Sequence, residues 1–578
     1  MQDKRKSIRK THVFELISGI LIILMMNIAG SYIFFRLDLT SEKRYSLSTA
    51  TKELLRELDD IVYFQVYLEG DFPAGFKRLR NSTKEMLDEF RAYSDFIEYD
   101  FINPSASDDP SERNSTYNLL VERGLNPTDL QVSTGDGMSK QIIFPGAIVS
   151  YRGDEMPVEL LRSQLGIPPV EVLNNSIQEL EFNLANAVKN ITATMKPKVA
   201  FITGHGELGE LETADITRAL SDQYQVERVE IDGKISALTE RNYSDTAATG
   251  FYNKFKAIII AQPDSAFSEK DKFIIDQYIM RGGKVLWLID PMLGSMDSLQ
   301  KSGATVSISK DLNLEDMLFN YGVRLNYDLV MDLNALPIPL TVGSVAGQPQ
   351  IDFFDWYYLP VITPMSEHPV VKNLNAIKTE FVSSMDTIAI PGIRKTVLLT
   401  TSPYSRIVNA PVYINLNILQ QEPDPAIYSH PPVPLAILLE GSFSSVYENR
   451  MPPTILNSKE IGFREKSQPT GMIVISDGDV IRNQFHFSQG YPLPLGYDQY
   501  TRQTFGNKEL ILNALNYLTD GPGLISIRSR ELKLRLLDIT RANQNKLFWQ
   551  LFNVLTPVVV IVLAGIVFYV VRRRRYAG

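Results

Sequence analysis

The chain has 578 residues, a formal net charge of −9 and 44 % hydrophobic residues, which is enough material for several domains with full cores. The acidic balance argues against nucleic acid as a partner. The chain contains no cysteine, which excludes a lipid anchor on cysteine, a thiol nucleophile, a redox pair and a cysteine-ligated metal.

The first predicted element is an apolar span at residues 13–35, long enough for a helix to cross a hydrocarbon core of ~30 Å. Basic residues crowd the tail before it, residues 1–12. Because short loops rich in Lys and Arg stay in the cytoplasm, this tail is predicted to be cytoplasmic. A cleaved signal peptide is the alternative, since residues 29–31 are small. The apolar run continues to Phe35, which favours an uncleaved transmembrane helix.

Residues 48–165 are predicted to form a first α/β domain outside the membrane. Ser48 is the predicted N-cap of its first helix. A strand pattern, a helix pattern and a second strand pattern then follow one another, as in a βαβ unit with a parallel strand pair; they lie at residues 61–70, 76–94 and 96–104. A hairpin is predicted around residues 152–154. The layout resembles a thioredoxin-like domain that lacks the redox cysteines.

A long helix over residues 172–194 is predicted to link this domain to a second one. In residues 197–299 nearly continuous apolar strands alternate with helices, which is typical of a parallel sheet covered on both faces. The pattern resumes at residues 470–520. Residues 300–468, rich in proline and short strands, are therefore predicted to be an inserted β-rich lobe.

The C-terminal part is predicted to return the chain to the membrane. Residues 528–546 read as a charged juxtamembrane helix, and residues 547–571 as a second transmembrane helix. Four arginines lie in the final tail, residues 572–578, so this end is also predicted to be cytoplasmic. The prediction is thus a membrane protein with two spans and a body of two or three domains on the far side of the membrane from both termini.

The best candidate for a binding site is the edge where the parallel strands end, because ligands of open α/β sheets bind at their carboxyl ends. Histidine and carboxylates gathered there suit ligand binding, a metal or acid–base work; the candidates are His205, Glu207, Asp264, Asp290, Asp477 and Asp479. The alternative is structural, with glycines in tight turns and aspartates capping helices. No nucleotide-binding, zinc-protease or esterase motif is present. The prediction is a protein that is not an enzyme and has no metal or cofactor.

Three segments carry a resemblance to a known family: RLDLTSEKRYSLS after the first span, KPKVAFITGHGE at the start of the parallel sheet, and IVISDGDVIRN with the later NKELILNALNYL. With an apolar span at each end, they make the chain similar to the GldG family of gliding-motility proteins within the ABC-transporter auxiliary proteins. The parallel-sheet domain also resembles the glutamine-amidotransferase-like domains of intraflagellar transport proteins. The catalytic members of that fold use a cysteine nucleophile, so the resemblance implies a scaffold here.

The resemblance implies a complex with a GldF-like permease subunit and a cytoplasmic GldA-like ATPase, in contact with membrane lipid and with cell-envelope or motility proteins. This chain has no phosphate-binding loop, so any ATP dependence would come from a partner. The expected function is that of a non-catalytic, membrane-anchored subunit that binds envelope components or transmits force. The alternative is a periplasmic receptor that binds a solute, glycan or peptide at the His205 edge.

Overall fold

A computed structural model describes residues 14, 16–25, 46–134, 137–162, 164–241, 250–296, 299, 303–345, 348–456, 458, 460–520, 523–529 and 544–576. The chain divides into two compact units, residues 1–530 and 531–578. The predicted juxtamembrane helix, residues 528–546, lies mostly outside the described residues. So does much of the first predicted span, of which an apolar helix over Leu16–Met25 is described.

The first α/β region matches the predicted order of elements: α1 Thr49–Arg56, β1 Val62–Val66, α2 Ala74–Tyr93, β2 Ile97–Phe101, α3 Pro110–Glu122, β3 Thr128–Thr134, β4 Gly137–Ile143, β5 Gly146–Tyr151 and β6 Asp154–Glu159. The Ser48 hydroxyl accepts a hydrogen bond from Thr51 N at 3.0 Å, so it is the N-cap of α1. The main sheet has the order β2-β1-β5-β6, with β1 and β2 parallel and the other pairs antiparallel. This order is consistent with the thioredoxin-like layout, which stays a prediction.

The linking helix is α4, Pro169–Thr192. Proline is favourable in a first helical turn because its missing N–H would have no partner there. The helix is buried around much of its circumference and packs against α2 and β6. Leu180, Leu184 and Val188 contribute to one hydrophobic core that extends from the first sheet into the second. The two sheets of this unit are therefore joined by a packed helix.

The second region begins with the predicted alternation of strands and helices: β7 Lys198–Thr203, α5 Ala214–Ser221, β8 Gln225–Glu230, β9 Thr239–Arg241, β10 Phe251–Asn253, β11 Ala257–Ala261, α6 Glu269–Met280 and β12 Lys284–Leu288. Ser268 accepts a hydrogen bond from Asp271 N and caps α6. Strand β11 is an apolar run with all five residues buried, because helices cover both faces of the sheet.

Residues 300–468 are rich in short strands, as predicted: β13 Ala304–Ser307, α7 Glu315–Tyr321, β14 Val323–Leu325, β15 Asp328–Asp332, β16 Ala335–Val345, β17 Gln348–Ile362, β18 Ile377–Lys378, β19 Met385–Thr387, β20 Ile393–Thr400, β21 Ser405–Asn409, β22 Val412–Asn415, β23 Pro434–Gly441 and α8 Pro453–Leu456. The remaining elements of this unit are β24 Thr470–Ile475, β25 Tyr497–Asp498, β26 Gln503–Thr504 and α9 Asn507–Asp520. A 3-10 turn, Leu524–Ser529, follows them.

The central sheet has seven strands in the order β20-β23-β24-β12-β11-β7-β8. The five strands from β24 to β8 are parallel, whereas β23 and β20 are antiparallel to their neighbours. Both β20 and β23 lie within residues 300–468, the predicted inserted lobe, but they complete the central sheet. A local apolar pattern does not encode which distant strand becomes the partner, and for that reason the sequence did not reveal this pairing.

The C-terminal unit contains α10, Lys546–Tyr576, with Pro557 inside it. Residues Lys546–Arg574 form the one helix, within the described part of the chain, that is long and apolar enough to cross a membrane. The predicted second span, residues 547–571, lies within it. The two-span arrangement stays a prediction.

Candidate functional site

The first turn of the candidate edge follows β7 and is built by glycines. Gly204 and Gly206 have positive φ angles of 113° and 74°, which side chains rarely adopt. A Cβ atom on Gly206 would also lie 2.9 Å from Cβ of Asp264, in the neighbouring turn. The two turns therefore approach each other closely only because position 206 is glycine.

His205, held in this turn, is enclosed by protein. It is 6 % exposed and its ring stacks on Phe267 at 3.8 Å between centroids. Nδ1 lies 3.2 Å from Glu207 Oε1, and Nε2 lies 3.2 Å from Asp271 Oδ2. Burial lowers the pKa of His205, but hydrogen bonds and charges of the two carboxylates outweigh it and raise the pKa overall. Both ring nitrogens are engaged, so this histidine serves the structure of the turn.

The carboxylates that follow strands β12 and β24 lie close together. Asp290 follows β12, and Asp477 and Asp479 follow β24. One oxygen from each of the three lies within 4.8 Å of the others, a spacing that suits a metal ion. We call these three residues the aspartate cluster. Hard carboxylate oxygens of this kind suit Mg²⁺ or Ca²⁺, but the cluster by itself does not establish a metal site.

Backbone and amide groups hold the aspartate cluster in place. Asp290 accepts hydrogen bonds from Gly478 N at 2.5 Å and from Gln262 Nε2 at 2.6 Å. Asp477 accepts from Asp479 N and from Glu380 N, each at 2.8 Å. Gln262 itself has a φ of 53°, a sparsely populated conformation for a residue of its size. The chain turn after β11 is thus strained where it serves the cluster.

Among the described residues, few cations lie close enough to the aspartate cluster to balance its three carboxyl groups. Burial raises the pKa of Asp477 well above its usual range, and the charges of Asp290 and Asp479 raise it further. Burial, Glu380 and Asp290 together raise the pKa of Asp479 to about 8. The nearest cation to Asp290 is Lys310, whose Nζ lies 4.0 Å from Oδ2. At neutral pH the group therefore retains protons that ordinary aspartates would lose.

The six predicted residues thus separate into three groups. His205 and Glu207 form a closed hydrogen-bonded network with Asp271. Asp264 is largely exposed and faces Lys310 at 3.7 Å. Asp290, Asp477 and Asp479 form the aspartate cluster, so the predicted edge brings together three of its six candidates.

A cavity of about 720 Å³ begins at Asp479 and contains residues that the sequence analysis missed. Lys378, Glu380, Asn483 and Asp498 all line it. Lys378 and Glu380 come from the predicted inserted lobe, and hydrogen bonds from Lys378 N to Asn507 Oδ1 and from Glu380 N to Asp477 Oδ2 hold them here. The one local signal was the high density of polar residues between positions 476 and 507.

Comparisons with known proteins place the central sheet within a described family. Residues 196–514, more than half of the chain, match a family model described as ABC-type uncharacterized transport system. Residues 41–150 match a domain of unknown function, DUF7088.

One relative extends over nearly the whole chain. An uncharacterized protein of Borreliella burgdorferi is 20 % identical over 577 residues, covering 98 % of this chain and 99 % of that protein. Among solved structures, the mmIFT52 N-terminal domain is 12 % identical and covers 56 % of this chain and 98 % of its own, with a TM-score of 0.30. That score supports no inference, so the amidotransferase-like resemblance stays a prediction.

Proposed function

Because the chain belongs to the family of ABC-type uncharacterized transport system proteins, we propose that it is a non-catalytic accessory subunit of an ABC transport complex. The observation that carries the proposal is the family match over residues 196–514. The helix α10 supports it, since a helix of this length and composition suits anchoring beside a permease. The finer proposal is a subunit of a gliding-motility complex with a GldF-like permease and a GldA-like ATPase.

In this proposal the body lies in the periplasm and both termini lie in the cytoplasm. The body binds envelope components or passes force to them, while the ATPase partner supplies the energy. The absence of a phosphate-binding loop from the sequence supports this division of labour.

The test is purification of the tagged full-length chain from its native membrane in a mild detergent, followed by mass spectrometry. A permease and an ATPase in stable ratio to the chain are the expected result. The matched control replaces Val559 and Leu563 in α10 by lysine, which should abolish association because charges are costly within a bilayer. Recovery of the unaltered chain with neither subunit would overturn the proposal.

A receptor for a periplasmic solute, glycan or peptide is the second candidate. The observation that favours it is the cavity of about 720 Å³ beside the aspartate cluster, which has the size of an ordinary ligand site. We place the receptor's binding site at the aspartate cluster and the cavity and not at His205, because both ring nitrogens of His205 are already engaged.

A further inference from the structure

The cavity lies between two chemically different walls. Its apolar wall comes from residues 294–296, residue 299 and strands β16 and β17, and includes Met296, Leu299, Leu336, Ile338, Leu340 and Leu359. Its polar wall comes from β18 and from residues 479–507. A ligand that fills the cavity must therefore carry an apolar group on one side and polar groups on the other.

The polar wall offers more acceptors than donors. The ammonium of Lys378 is 8 % exposed and lies 3.0 Å from Glu380 Oε1 and 4.0 Å from Asp498 Oδ1. Arg482 NH1 lies 3.4 Å from Asp479 Oδ1, and its NH2 is engaged by Glu212 at 3.1 Å. Lys378 and Arg482 are therefore both paired with carboxylates of the protein. An anionic group of a ligand would find no unpaired cation among the described residues of this wall.

A buried hydrogen-bond acceptor without a partner also favours a ligand that donates hydrogen bonds. Asn483 lines the cavity and is 2 % exposed. Its Nδ2 donates to Leu493 O at 2.8 Å, whereas its buried Oδ1 has no hydrogen-bond partner among the described residues. A buried acceptor without a donor destabilises the protein, and a ligand N–H that reached it would remove that cost. The wall is thus suited to a ligand that donates hydrogen bonds and carries positive charge.

Aromatic side chains also line the cavity. Phe487 lines it and is 79 % exposed, and its ring stacks on His486 at 5.0 Å between centroids. Tyr500, also a lining residue, is 41 % exposed. Exposed aromatic faces attract cations and cover apolar stems.

We propose that this cavity binds a short peptide segment in which a basic side chain lies next to large aliphatic ones. The basic group would lie against Glu380, a backbone N–H would reach Asn483 Oδ1, and the aliphatic side chains would cover Leu336, Ile338 and Leu340. An oligosaccharide satisfies the polar wall but leaves the aliphatic wall uncovered. The proposal rests on the receptor function above and names its ligand class.

The test is isothermal titration of the full-length chain in detergent with blocked tripeptides. The probes are Leu-Lys-Leu, Leu-Glu-Leu and Ser-Lys-Ser, with chitotriose as a saccharide probe. Leu-Lys-Leu should bind at least tenfold more tightly than the other three, because it alone satisfies both walls. Equal binding of the three peptides, or no binding of Leu-Lys-Leu, would overturn the inference.

Two variants locate the site. Glu380→Gln and Ile338→Asp should each weaken Leu-Lys-Leu binding at least tenfold, whereas Asp264→Asn, an exposed carboxylate outside the cavity, should leave it unchanged. Unaltered binding in both cavity variants contradicts the assignment. Tight binding of chitotriose alone would support the receptor function and overturn the proposal that the ligand is a peptide. If neither the peptides nor chitotriose bound, the result would count against the receptor function and against the peptide ligand. The peptide series on the unaltered chain decides the question if a variant does not fold.

Discussion

At the scale of single residues, the aspartate cluster makes the stability of the protein depend on pH. Three carboxyl groups share a buried site, and Asp479 has a pKa of about 8. A carboxyl group whose pKa is raised by folding binds protons in the native state that the unfolded chain releases. Its stabilising protonation is therefore lost as the pH rises from about 4 towards 8.

We expect Asp479→Asn to stabilise the protein at pH 8 by about 1–3 kcal/mol and to have almost no effect near pH 4. The amide keeps the shape of the side chain and removes a charge that faces Asp290, Asp477 and Glu380, with Arg482 as the nearby cation. The measurement is the free energy of unfolding at the two pH values. An equal effect at both would show that charge is not the cause, and Asp264→Asn is the matched control.

His205 should have a pH dependence of the same sign, because its stabilising protonation is also lost as the pH rises. Because Glu207 and Asp271 raise its pKa, its contribution is full below its ordinary pKa of 6.5 and is lost as the pH rises through the raised value. His205→Gln should therefore lower the free energy of unfolding by about 2 kcal/mol at pH 5.5 and by less at pH 9. The control is His430→Gln, at an exposed histidine, which should leave the free energy of unfolding unchanged at both pH values. A larger loss at pH 9 would contradict this account.

At the scale of elements, a buried ion pair ties the end of the body to the linking helix. Arg528 NH2 donates to Glu179 Oε1 in α4 at 2.8 Å, and to Lys372 O at the same distance. The two side chains are 0 % and 4 % exposed. The guanidinium also lies over Phe182 at 5.5 Å from its ring centroid. The last turn of this unit is thus fastened to the helix that joins both sheets.

Arg528→Met should destabilise the body by about 3 kcal/mol, because it leaves Glu179 buried beside Arg162 alone at 3.7 Å. Arg394→Met removes an equivalent pair from the surface, where Arg394 is 69 % exposed, and should cost less than about 1 kcal/mol. Urea unfolding of both variants measures the difference. Similar costs for the two would mean that the buried pair contributes no more than a surface pair.

Local features of the fold were predictable because their causes are local. The Ser48 cap and the hairpin after β5 follow from short-range hydrogen bonds and turn conformations, and the structure confirms them. The meeting of Asp290 with Asp477 followed from the rule that parallel strands end at one edge. Lys378 and Asn483 could not be predicted, because the cavity forms only when residues distant in sequence pack together.

At the scale of the whole molecule, the proposed topology is directly testable because the chain has no cysteine of its own. Single cysteines at Ser7 and Ala577 should react with a membrane-impermeant thiol reagent only after the inner membrane is opened. Ser115→Cys, at an exposed position of α3, should react once the outer membrane alone is permeabilised. Labelling of Ser7→Cys from the periplasmic side would contradict the two-span arrangement.

The order of strands in the central sheet also has a consequence for synthesis. Strand β12 lies between β11 and β24, yet residues 289–469 separate it from β24 along the chain. A pairing of such long range is slow, since a large loop must close before the contact is gained. Until β24 is available, β12 keeps one edge of unpaired backbone N–H and C=O groups between apolar side chains, and this edge is the place where chaperone capture or aggregation would begin.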